Sequence, residues 1–143
     1  MDRIKFEYRN ALRNQISKIK MQNDKEKFKK DFKKRLYGFT LKLIEFLDAL
    51  PNDNVSKRVG DQLLRSGTSI ISNYIEGQSA SSKKDFTNYF NTSLKSANES
   101  KLWFAILRDS KRAKPEDVVW FLNELDEFSR ILAASIMTLK GKR

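Results

Sequence analysis

Residues 65–77 read RSGTSIISNYIEG, and this stretch decides how the chain folds. Apolar residues at Leu63, Leu64, Ile70, Ile71, Tyr74 and Ile75 recur at helical spacing. Between them stand Ser66, Gly67, Thr68, Ser69, Ser72 and Asn73, which are small or polar and weak helix formers. A helix that only filled its own core would carry Leu and Ala there. Small side chains admit close approach by another backbone, and buried hydroxyls and amides require hydrogen-bond partners. The pattern therefore predicts a helix that meets a tightly packed neighbour, another copy of the chain, or a ligand.

The same periodicity extends in both directions. Ile4, Tyr8, Leu12, Ile16 and Ile19 form a stripe over residues 3–20 with basic residues around it. The segment MQNDK at 21–25 looks like a break, with a continuous or frayed helix as the alternative. From Glu26 a stronger stripe runs through Phe28, Phe32, Leu36, Phe39, Leu43, Phe46, Leu47 and Leu50, ending before Pro51. The PNDN turn at 51–54 offers Asp53 or Asn54 as a cap for a second helix over roughly 54–76, which the sequence ends at Gly77. After the polar connection QSASS, Ser82 and Asp85 make a capping-box-like start. A third helix then runs to about Arg108 along Phe86, Phe90, Ser93, Ala97, Ser100, Phe104 and Leu107. The basic loop DSKRAK at 109–114 leads to Pro115, Glu116 and Asp117, a helix opening. The fourth stripe is Val118, Phe121, Leu125, Phe128, Leu132, Ile136 and Leu139, and the basic KGKR tail should fray. The expectation is an all-α, antiparallel up-down-up-down four-helix bundle with an extra N-terminal helical extension. Residues 1–24 are read as the basic extension and 25–143 as the bundle domain.

Composition narrows the chemistry. The 143 residues suit one domain with a real core, and five Gly and two Pro are too few for many short strands. The chain has no Cys and no His, which removes disulfides, thiolate zinc sites, Cys nucleophiles and His-based acid–base catalysis. The charged N-terminus MDRIKFEYRN lacks the apolar core of a signal peptide, and the longest apolar-rich run, 131–137, is far short of a membrane span of roughly 20 residues. The reading is a soluble, cytoplasmic protein with no membrane partner.

Net charge is +11, and it is unevenly spread. Residues 1–35 hold 13 Lys and Arg against 5 Asp and Glu, whereas 36–143 hold 16 against 13. A basic arm beside a near-neutral domain points to a polyanionic partner, with a merely solubilising surface as the alternative. The candidate nucleic-acid-binding residues are Arg3, Lys5, Arg9, Arg13, Lys18 and Lys20, the denser run Lys25, Lys27, Lys29, Lys30, Lys33, Lys34 and Arg35, and the loop cluster Lys111, Arg112 and Lys114. Such groups neutralise phosphates without reading sequence, so binding should be salt-sensitive and largely non-specific.

The run Arg65, Ser66, Ser69, Ile70, Asn73, Glu76, Gly77, then Ser82, Lys83 and Phe86, and later Glu99, resembles the four-helix bundle family that includes bacterial proteins encoded in intervening sequences of large-subunit ribosomal RNA genes. The resemblance covers about residues 32–140 and leaves 1–31 outside. Tyr74 and Ile75 depart from the family's Asn-Ile-Ala-Glu-Gly pattern, so packing should differ at that turn. The resemblance implies a homopentamer and no enzymatic activity. It also links the chain to the accessory variability proteins of diversity-generating retroelements, which are basic, pentameric and implicated in binding nucleic acid and reverse transcriptase.

Arg65, Ser69, Asn73, Glu76, Gly77 and Glu99 are read as a structural motif that ties helices together within or between subunits, with Glu99 as a candidate partner for Arg65. No nucleophile–base pair accompanies them, so no catalytic residue is named. Glu124, Asp126 and Glu127 read as solvated, and no metal or cofactor is expected. Trp103 and Trp120 are read as core or interface residues rather than base-stacking ones. The expected function is a non-enzymatic, oligomeric nucleic-acid-binding protein that takes RNA more readily than DNA. The alternative is a pentameric adaptor that docks a protein such as a reverse transcriptase.

Overall fold

The computed structural model describes residues 2–141, so part of the expected frayed tail, residues 142–143, lies outside the described residues. Four helices and no strand occur among the described residues: α1 (Asp2–Asp48), α2 (Asn54–Gln78), α3 (Lys83–Asp109) and α4 (Pro115–Leu139). The expected bundle class holds. The break expected at the MQNDK segment is not there: it is continuous helix within α1. None of its five residues is Gly or Pro, so the backbone has no local reason to leave the helix.

The chain divides into two compact units, Met1–Lys34 and Arg35–Arg143. The first unit is helical throughout its described residues. Ile4, Tyr8, Leu12, Ile16 and Ile19 lie exposed along it, and Phe28 and Phe32 stack with ring centroids 6.3 Å apart.

The second unit is the bundle. Its centre is aromatic: Phe39 meets Phe121 and Phe128 edge-on at 5.6 and 5.3 Å, and Phe104 stacks on Phe121 at 4.7 Å. Leu43, Leu63, Ala97, Leu107, Leu125 and Leu132 are fully buried around these rings. The buried residues of α3 and α4 are the seams read from the sequence with Ser96 added, apart from Phe86 and Leu139, which are half-buried.

The helix ends follow side-chain chemistry. The Asp53 carboxylate accepts from the Ser56 backbone N–H at 2.9 Å and from the Ser56 hydroxyl at 2.8 Å, capping α2. Ser82 accepts from the Asp85 N–H at 3.1 Å and caps α3. Pro115 opens α4. Gly77 corrects the sequence reading. It does not end α2 but sits inside its last turn, and the helix continues to Gln78 with Ser79 at the C-cap. Its role is packing: a Cβ there would stand 2.6 Å from the Phe90 ring and 3.3 Å from the Tyr89 Cβ. Gly67 does the same against α1, where a Cβ would meet Leu43 Cδ2 at 2.3 Å.

Candidate nucleic-acid interface

Ser66 and Ser69 of α2 face α3, while Thr68 and Ser72 donate to carbonyls of their own helix. The Ser66 and Ser100 hydroxyls lie 2.8 Å apart, Ser96 donates to Ser69 Oγ at 2.8 Å, and Ser93 donates to the Ile70 carbonyl at 2.7 Å. Asn73 stays on its own helix and donates to the Ser69 carbonyl and hydroxyl at 2.9 and 2.8 Å. No buried side-chain polar atom among the described residues lacks a partner. Tyr74, the departure from the family pattern, is buried with its ring 5.3 Å from Phe90, and burial pushes its phenol pKa up. These residues form a self-satisfied helix seam, with no polar group turned toward a ligand.

The rest of the motif does not converge. Arg65 and Glu76 are exposed, and no ion pair among the described residues involves either. Glu99 accepts from the Trp103 indole at 2.9 Å, one helical turn away. Among the described residues no cluster of three or more carboxylates could hold a metal ion.

The basic residues separate into free and engaged groups. Lys5, Arg9, Arg13, Lys18, Lys20, Lys25, Lys30, Lys33 and Lys34 are exposed and enter no ion pair among the described residues. Arg3 pairs with Glu7, Lys27 with Asp31, and Lys29 with Glu26, all on the helix surface. Arg35 is engaged inside the bundle. Its Nε and Nη2 donate to the two Glu124 oxygens at 2.9 and 2.7 Å, Nη2 also donates to Glu127, and the guanidinium carbon lies 5.5 Å from the Phe128 ring centroid. The hydrogen bonds to Glu124 dominate in raising its pKa further. The expectation that Glu124, Asp126 and Glu127 are merely solvated is thus corrected: the first and last hold Arg35, and Asp126 pairs with Lys101 at 2.9 Å. Nothing in the sequence links positions 35 and 124; their pairing follows from α1 lying beside α4 in the bundle.

The α3–α4 loop is a second basic site. The Arg112 and Ala113 amides both donate to the Leu107 carbonyl, at 2.9 and 3.0 Å, and the Arg112 guanidinium donates to Asp53 at 3.1 Å. Asp53 is held well below the usual carboxylate range, at about 2, by the Ser56 amide, then the Ser56 hydroxyl, then Arg112. Lys111 adopts φ +64°, a left-handed conformation unusual for a side chain of its size. Lys111 and Lys114 are exposed and enter no ion pair among the described residues.

An antiparallel all-α bundle led by a strongly basic helix defines the class of protein. The chain belongs to the family of 23S rRNA-intervening sequence proteins, whose model matches residues 28–134. Among solved structures it is similar to a protein of unknown function from the S23 ribosomal protein family of Bacteroides thetaiotaomicron. That likeness has 31% identity and a TM-score of 0.69, over 73% of this chain and 96% of the other. No curated protein matches the chain. The family is tied by its description to ribosomal RNA, and residues 1–27 precede the matched region. No described helix is long and apolar enough to cross a membrane.

Proposed function

We propose that this chain is a non-enzymatic, oligomeric protein of the cytoplasm that binds nucleic acid, RNA in preference to DNA, largely without regard to sequence. The observation that carries this reading is the set of nine exposed Lys and Arg side chains between Lys5 and Lys34 that have no acidic partner among the described residues. Cations without internal partners are available to phosphates, and each one engaged releases a counterion. Residues 1–24, part of the first unit, act as the extension carrying part of this surface, and residues 25–143 as the domain that contains the bundle. The RNA-related family description supports RNA as the target. Tyr37, Leu41 and Ile44, exposed at i, i+4 and i+7 on α1, support burial of that face between copies, and the resemblance suggests five.

Fluorescence anisotropy with single-stranded RNA across a salt series tests the reading. Affinity should fall with a log–log slope of about −0.7 per phosphate contacted. Affinity insensitive to salt, or no binding near about 50 mM salt, refutes it. Deleting residues 1–24 should weaken RNA binding and leave assembly intact.

One observation favours a second reading. Ile4, Tyr8, Leu12, Ile16 and Ile19 stay 46–71% exposed along one helix, an apolar stripe suited to a protein partner. In the adaptor reading this stripe docks a protein such as a reverse transcriptase. Loss of protein binding on polar substitution of the stripe, with RNA affinity unchanged, would favour it.

A further inference from the structure

We propose that a cleft in the bundle, beside Trp120, is a pocket for one nucleobase of single-stranded RNA, with guanine preferred. The inference rests on the RNA-binding reading and adds to it a defined site, away from the basic helix, with a base preference of its own.

The cleft has a volume of about 650 Å³, within the range of roughly 300–1,000 Å³ typical of small-molecule sites. The end of α1, the α3–α4 loop and the start of α4 line it. Trp120, read from the sequence as a core or interface residue, lines it with Phe46 and Phe121 and is 40% exposed although it neighbours the aromatic core. Phe39 stacks on the indole at 6.1 Å and Phe121 meets it edge-on at 5.0 Å, so the ring is held in one orientation. A large, partly exposed and immobilised indole is a stacking platform whose ordering entropy is already lost on folding. The Lys42 ammonium lies over the indole, 5.3 Å from the ring centroid, so a base stacking on that face takes the place of this cation and keeps it as a close neighbour.

The loop supplies further cations in fixed places. Its backbone is anchored to the Leu107 carbonyl, Arg112 is tied to Asp53, and Lys111 is held at positive φ. Lys114 lines the cleft, and Lys111 lines a neighbouring one formed by the same loop. These two exposed ammonium groups are available to the phosphates flanking a docked base.

Glu45, Glu116 and Asp117 also line the cleft. A base stacked on an indole within a cleft has left its duplex stack and exposes its Watson–Crick edge, so the site suits an unpaired nucleotide. Carboxylates accept and do not donate hydrogen bonds. Guanine presents adjacent N1–H and N2–H donors on its Watson–Crick edge. Adenine has one donor group beside an acceptor, and uracil has one donor between two acceptors. Guanine is the base whose edge fits.

The test uses the full chain carrying Trp103→Phe, which leaves Trp120 as its one tryptophan. The probes are a labelled uridine dodecamer with two central guanosines and the same dodecamer with adenosines there. Anisotropy reports binding while Trp120 emission reports stacking. The guanosine probe should quench Trp120 and bind more tightly than the adenosine probe. Trp120→Leu should weaken it about tenfold. Because Trp120→Leu also removes packing, the exposed-loop variant Lys111→Glu/Lys114→Glu provides a second arm and should weaken binding with helix content unchanged. RNA binding with unchanged Trp120 emission, equal affinity for both probes, or a loop variant that binds as the parent does would overturn the pocket and leave the RNA-binding reading standing. No binding of either probe at low salt would overturn both.

Discussion

Ser66 on α2 and Ser100 on α3 bring their hydroxyls within 2.8 Å of each other in the interior of the bundle, where both residues are almost wholly buried. Each hydroxyl also reaches a carbonyl of its own helix, Ser100 that of Ser96 at 2.8 Å and Ser66 that of Leu63 at 3.4 Å. The pair holds two helices at a separation that larger side chains would not allow. Ser66→Ala leaves Ser100 bonded to its own helix and should cost about 1 kcal/mol. Ser100→Leu forces a larger side chain into the seam and should cost about 1–3 kcal/mol. Urea unfolding at fixed protein concentration measures both, and equal effects would show that the seam is not close-packed.

Two glycines should respond in opposite directions to the same substitution. At Gly77 a Cβ would press on the Phe90 ring at 2.6 Å, so Gly77→Ala should destabilise by about 1–3 kcal/mol. At Gly38, also helical, a Cβ meets nothing within 4 Å. Gly38→Ala should therefore stabilise by about 0.5–1 kcal/mol through helix propensity. Thermal melts of the two variants check the contrast, and a shared sign would contradict it.

Asp53 sets a pH dependence at the acid end. Its folded pKa, about 2, lies below the ordinary value of 3.8, so the folded state favours the charged carboxylate. The stabilisation is fully present above the ordinary value and is lost as pH falls through about 2. Stability measured from pH 5 downward should decline across this window, and Asp53→Asn should flatten the decline. A variant with the parent's full acid sensitivity would assign the effect to other carboxylates.

Arg35 and Lys33 are close in sequence and should separate cleanly by assay. Arg35 makes a bidentate pair with Glu124, partly exposed, so Arg35→Met should cost about 1 kcal/mol of stability. Lys33 is exposed and enters no ion pair among the described residues, so Lys33→Gln should leave stability unchanged. If Lys33 contacts a phosphate, its loss should lower the salt slope of single-stranded RNA binding by about 0.7. Chemical unfolding and anisotropy, run on both variants, decide it.

The order of the bundle helices and most of their buried faces could be read from the chain alone, because apolar spacing at 3.6 residues is a local property, whereas the break expected at 21–25 proved to be continuous helix. Phe90, Ser93, Ala97, Ser100 and Phe104 lie on one face whatever they meet, and Asp53 and Ser82 cap helices through bonds to residues three positions on. The basic character of residues 1–35 is equally local. Pairing across the bundle was not legible. Arg35 with Glu124, Arg112 with Asp53, Gly77 against Phe90 and Lys42 beside Trp120 join positions far apart in the chain. Charge and size at one position do not say which distant partner will face it. Only the packing of the helices decides that, and with it which cations are engaged within the fold and which stay available to a partner.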